Sequence, residues 1–172
     1  MKKTDRCDGK SAGVIVHKGT RILLIERKKF PPAIALPAGH CDGDSFLKTA
    51  SRELYEETGI SAGTLKEVFR GIIPTPCRRS GKTHQWRVYE AHGWRGKLAR
   101  SHAEAKAAFW APPAMLMKLI NRTETFAKKL KIPVNRQGAL TRALAKNSEW
   151  QKKPGLEVTW CTIFQKIKPA QK

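Results

Sequence analysis
Apolar residues come mostly in short strand-like runs over the first two-thirds of the chain, and only helical patterns follow from Asn121 on. Ala12 to His17 and Arg21 to Glu26 are two aliphatic runs split by Lys18-Gly19-Thr20, which predicts a hairpin. Lys28 to Pro32 reads as a loop, and Ala33 to Leu36 as a short strand leading to Pro37-Ala38-Gly39-His40, a tight turn segment. Leu65 to Ile73, His84 to His92 and Glu104 to Trp110 carry further strand patterns, with loops at Pro74 to Lys82 and Trp94 to Ser101. Pro112-Pro113 opens a helix with Met115, Leu116, Leu119 and Ile120 apolar. From Asn121 on, strand signals stop and three helical patterns follow: Thr123 to Leu130, Gln137 to Ser148, and a stripe of Leu156, Trp160, Ile163, Phe164 and Ile167. A strand through Val158, Trp160, Thr162 and Phe164 accounts for fewer residues. The pattern predicts residues 1–120 as one α+β domain. Residues 121–172 are predicted as a basic helical extension packed on it, because the tail has aromatic anchors but little core of its own.

The most informative run is Leu36 to Ile60. On a helix, Glu53, Glu56 and Glu57 stand at i, i+3 and i+4, so three carboxylates share a face. Leu47, Ala50 and Leu54 form the opposite, core-packing face. Gly59 sits where a left-handed cap ends the helix, and Ile60 is the apolar residue covering it.

Composition decides between a solvated acidic face and a cation site. The 172 residues hold 14 Asp and Glu against 34 Lys and Arg, a net charge of +20. Five of those scarce acids, Asp42, Asp44, Glu53, Glu56 and Glu57, lie in this one window. Like charges at helical spacing repel, so a strongly basic chain that gathers its acids in one place is holding a cation there. Carboxylates suit Mg²⁺ or Mn²⁺, hard ions that prefer oxygen.

The run resembles the Nudix box: Gly, five residues, Glu, seven residues, then Arg-Glu-U-x-Glu-Glu-x-Gly-U, with U aliphatic. Arg52 to Ile60 matches the second part at every fixed position. Asp44 stands where the family has Glu, and the loop from Gly39 to Asp44 is one residue short. The resemblance implies an α/β/α sandwich with a mixed β-sheet and Mg²⁺-dependent hydrolysis of a phosphate anhydride. It implies Glu56 and Glu57 as direct metal ligands with the main-chain carbonyl of Gly39, Glu53 as ligand or water-activating base, and Arg52 as a structural partner of a box carboxylate. Asp44 supports the loop or binds metal through water. Families of this type add a further acid after the sheet; Glu104, just ahead of the second helix, is the first candidate and Glu90 the second. His40 is read as a loop or substrate contact rather than a ligand.

Arg78, Arg79, Lys82 and Arg87 make the densest basic patch near this site and are candidates for holding phosphates, or are solvated charge on a basic protein. Trp86, Tyr89, Trp94 and Trp110 could stack a base or belong to the core. Pro76 stands at about the distance past the box where some ADP-ribose hydrolases of the family carry a proline. The implied substrate is a nucleoside diphosphate linked to another group: a nucleotide sugar, an ADP-ribose-like compound, a dinucleotide or a nucleoside triphosphate. Two alternatives are an RNA 5′-end pyrophosphohydrolase using the basic surface, and a Nudix-like module that binds nucleotide or RNA without cleaving it. A monomer or homodimer is expected.

Met1 to Arg6 is charged, with no apolar run behind it of signal-peptide length and no stretch of membrane-spanning length. Cys7, Cys41, Cys77 and Cys161 are far apart with no CxxC pair, which suggests neither a zinc site nor a disulfide framework. A cytoplasmic protein with reduced thiols is the expectation.

Overall fold
The computed structural model describes residues 7–74, 77, 79 and 83–167. Its first strand, β1 (Lys10–Lys18), sends alternate side chains to opposite faces, as a pleated strand must. Ala12, Val14 and Val16 face one core, while Ile15 faces another. Around β1 lie β2 (Arg21–Arg27), β3 (Ile34–Ala35), β5 (Thr64–Ile73) and β6 (His84–His92) in the order β3-β2-β1-β6-β5. The β1/β6 pair is parallel and the β1/β2 and β5/β6 pairs antiparallel, so the sheet is mixed. Off this path, β4 (Ala38–His40) pairs with β1 and β7 (Ala105–Ala111) with β2. The segment read as a turn, Ala38 to His40, is therefore a strand three residues long, with Gly39 opposite Ala12. Three residues are too few to show a period.

Helix α1 (Phe46–Thr58) covers one face, burying Ala50 and Leu54 against Val14, Leu23 and Tyr89. The other face is covered by α2 (Pro113–Lys129) and α5 (Val158–Lys166), through Leu116, Leu119, Trp160 and Ile163. The architecture is an α/β/α sandwich with further C-terminal helices. Leu47, predicted in the core, is 51% exposed. The partly buried Phe46 packs there instead.

The change of character at Asn121 does not interrupt α2, which runs on to Lys129 as one helix. Thr123, Phe126 and Ala127 continue its buried stripe. Two more helices follow, α3 (Gln137–Lys146) and α4 (Ser148–Lys152), the second of which is separate from the first. Side chains of the 121–167 segment lie in the core clusters. Phe126, Leu140, Leu144, Trp150 and Val158 enclose Ala33, and Trp150 Nε1 donates to the Pro32 carbonyl at 2.6 Å. Gly155 to Glu157 extends the sheet edge at Ile34: Ile34 N–H donates to Gly155 O (2.9 Å) and Glu157 N–H to Ile34 O (2.7 Å). Among the described residues no helix is long and apolar enough to cross a membrane.

Candidate active site
Helix α1 begins where Ser45 accepts a hydrogen bond from Lys48 N–H, and ends at Gly59, whose left-handed backbone (φ 71°) lets its N–H reach Tyr55 O. The loop feeding it closes in a tight turn. Asp42 (φ 51°) and Gly43 (φ 91°) both adopt positive φ, and Asp44 N–H returns to Cys41 O at 2.9 Å. Two successive positive φ angles suit Asp-Gly and fold the chain back within four residues. This is how a loop one residue short still brings Asp44 to Arg52.

The predicted carboxylate face divides. Glu53 and Glu57, at i and i+4, turn inward and are only 8% and 3% exposed. Glu56 turns outward, with its side chain 58% exposed. Glu104 completes the buried pair: Glu53, Glu57 and Glu104 each offer a carboxylate oxygen, and these atoms lie within 4.8 Å of one another. Glu90 is elsewhere, between His17 and His92 on the sheet.

The loop carrying Glu104 is hung on the end of α1. Ala99 N–H donates to Thr58 O and Ser101 N–H to Glu57 O, satisfying carbonyls that a helix end leaves without partners. Lys28 N–H holds the Glu104 carbonyl (2.8 Å), and Lys29 Nζ lies 2.6 Å from its carboxylate. On the other side, Ala38 N–H donates to Glu57 Oε2 at 3.0 Å. Gly39 lets β4 approach the helix closely: a Cβ there would lie 2.2 Å from the Glu53 carboxyl carbon, so the Glu53 side chain would have to shift. Arg52 ties these parts together. It donates to Glu53 (2.6 Å), Glu56 (3.3 Å) and the His40 carbonyl (3.2 Å), and lies 3.6 Å from Asp44. Asp44 also pairs with Lys48 at 2.8 Å.

Burial penalises the charged form of these acids. It pushes the Glu57 carboxyl up to about 8, with the Glu53 and Glu104 charges adding to the rise and Arg27 and the Ala38 N–H opposing it. Glu53 is likewise raised by burial, against the pull of Arg52. Converging buried carboxylates are costly when ionised and unpaired. A divalent cation removes that cost, and an all-oxygen donor set of this kind suits Mg²⁺ or Mn²⁺.

The predicted substrate contacts are more scattered. Arg79 lies 2.7 Å from Asp42 and fixes the box turn. Arg87 lies 3.5 Å from Glu67 and over the Phe46 ring. Arg78, Lys82 and Pro76 fall outside the described residues. Trp86 and Tyr89 are buried in the core, whereas Trp94 and Trp110 stack on each other, their ring centroids 5.1 Å apart.

All four cysteines are free, and Cys7 and Cys77, although far apart in sequence, meet His40 and His84 in one cluster whose donor atoms could hold a metal ion.

The NUDIX domain family matches residues 8–131. None of the curated protein sequences matches this chain. Among solved structures, a MutT NUDIX hydrolase from Burkholderia pseudomallei is 26% identical with a TM-score of 0.51, covering 59% of this chain and 80% of its own. A MutT protein from Bacillus halodurans is 16% identical with a TM-score of 0.53 and coverages of 80% and 82%. The NUDIX domain of Shewanella oneidensis NrtR, solved with ADP ribose, is 19% identical with a TM-score of 0.50 and coverages of 63% and 75%.

Proposed function
This chain belongs to the Nudix family, and from that premise we propose that it is a Mg²⁺- or Mn²⁺-dependent pyrophosphohydrolase. Its substrate would be a nucleoside diphosphate linked to a further group. The observation that carries the reading is the convergence of Glu53, Glu57 and Glu104, with Gly39 of β4 packed closely against the Glu53 carboxylate. Glu53, Glu57 and Glu104, with the Gly39 carbonyl, would hold the ion. When bound, it neutralises phosphate charge and lowers the pKa of a coordinated water. Arg52 orients Glu53 and holds Glu56 at the exposed rim, where a phosphate chain with its own cation can arrive. Lys29, paired with Glu104, and Arg79, paired with Asp42 of the box turn, supply positive charge near the site. The free cysteines fit a reducing, cytoplasmic setting.

One structural neighbour, the NrtR NUDIX domain, was solved with ADP ribose, so ADP-ribose joins nucleotide sugars, dinucleotides and nucleoside triphosphates in the substrate panel. Product release from such a panel, followed by phosphorus NMR with Mg²⁺ or Mn²⁺, tests the reading. Turnover of a compound by wild type, lost in Glu53→Gln/Glu57→Gln, is the expected result. Equal turnover in both proteins would remove these residues from the chemistry. No turnover of any compound would move the assignment to a 5′-triphosphorylated RNA or to binding alone.

A further inference from the structure
We propose that Cys7, His40, Cys77 and His84 form a tetrahedral zinc site, separate from the carboxylate cluster, that fixes strand β4, which carries Gly39. The donors come from four segments: the approach to β1, the last residue of β4, the loop after β5 and the first residue of β6. Topology brings them together. His40 lies opposite Ser11 on β1, and Gln85, next to His84, donates its N–H to Gly9 O.

One ligand atom from each residue lies within 4.8 Å of the others. Cys7 Sγ is 3.2 Å from His84 Nε2, and Cys77 Sγ is 3.4 Å from His40 Nε2. Zinc bond lengths to sulfur and imidazole nitrogen give tetrahedron edges of about 3.3–3.8 Å, so the donors need only small adjustments to close on an ion. Two thiolates and two neutral imidazoles are a standard structural zinc set, balanced in charge against Zn²⁺.

The surroundings are those a metal site needs. His84 Nδ1 is hydrogen-bonded to the buried Ser11 Oγ at 2.8 Å, which leaves Nε2 facing the cluster. Each cysteine sulfur accepts a main-chain N–H from two residues on: Gly9 to Cys7 and Arg79 to Cys77, both at 3.3 Å. The segments are also bonded to one another: Cys7 N–H to Arg79 O, Gly43 N–H to Asp8, and Arg79 to Asp42. His40 contributes its ring to this cluster and its carbonyl to Arg52, so an ion here would brace the box loop from the side away from the carboxylates. The inference does not depend on the hydrolytic reading.

The test is metal analysis of the full-length protein, purified under reducing conditions without chelator and loaded with Zn²⁺ before dialysis. About one equivalent of zinc per chain is expected. Co²⁺ in its place should show the visible bands of a tetrahedral ion together with a thiolate charge-transfer band. Cys77→Ser and His84→Asn should lose the zinc, and Ser11→Ala should weaken it about 10–100-fold, a readout that survives if the ligand variants fail to fold. Cys161→Ala and Glu57→Gln should keep it, which separates this site from the carboxylates. Wild type with less than about a tenth of an equivalent, or a cobalt spectrum without the thiolate band, would overturn the proposal. So would unchanged zinc in both Cys77→Ser and His84→Asn, or a Cys7–Cys77 disulfide in the reduced preparation.

Discussion

Replacing Glu57 by Gln should make the protein free of Mg²⁺ and Mn²⁺ more stable at high pH, while abolishing its stabilisation by those ions. In the fold, burial raises the Glu57 carboxyl from 4.5 to about 8. Between these values the folded state holds a proton that the unfolded state has released. The associated stability is therefore fully present below pH 4.5 and is lost as pH rises through 8. At about 1.4 kcal/mol per pKa unit, the swing is on the order of 5 kcal/mol, a large share of a domain's usual stability. Gln keeps an oxygen for the Ala38 N–H and removes the ionisation. Because other buried groups titrate too, the quantity to follow is the difference between variant and wild type. Urea unfolding at pH 5 to 9, in protein dialysed free of Mg²⁺ and Mn²⁺, should show that difference growing in the variant's favour with pH. Adding Mg²⁺ should restore wild type alone. A variant that is less stable than wild type at pH 9, or a difference that does not change with pH, would refute the reasoning.

Other substitutions probe the parts around this pair. Gly39→Ala places a Cβ 2.2 Å from the Glu53 carboxyl carbon, so Glu53 must move by about 1 Å, and turnover should fall about 10²-fold. Steady-state kinetics beside circular dichroism would check that the fold is kept. Trp150→Phe removes the hydrogen bond to the Pro32 carbonyl and part of a side chain only 1% exposed. Denaturant unfolding should show a loss of about 2–4 kcal/mol, and a loss below about 0.5 kcal/mol would mean that the C-terminal helices are not part of the core.

Periodicity made most of the strands and α1 legible, because the two faces of β1 and the i, i+4 spacing of Ala50 and Leu54 are written in side-chain type. The length of α2 was hidden by Thr123, a polar residue within the buried stripe. Its hydroxyl donates to Leu156 O at 2.6 Å, a partner 33 residues away that no local pattern reveals. The division of the acids was hidden for a related reason. Glu53, Glu56 and Glu57 are close enough on a helix to share a face, and only the position of the sheet decides which two are buried. Glu104 could be nominated from its place before β7, but its approach to Glu57 depends on the hydrogen bonds from Ala99 and Ser101 to the end of α1. The Cys and His cluster left no spacing signal at all, since its donors come from four segments far apart in the chain that only the folded structure brings together.

The central claim is that Glu53, Glu57 and Glu104 together hold the divalent ion that serves hydrolysis. Mn²⁺ binding, followed by loss of the free-ion signal in electron paramagnetic resonance, tests it most directly on protein already loaded with zinc. Wild type should bind Mn²⁺ more tightly as pH rises toward 8, as the Glu57 proton is displaced, and Glu57→Gln and Glu104→Gln should each weaken binding by about tenfold or more. Mn²⁺ bound equally well by wild type and both variants would contradict the account.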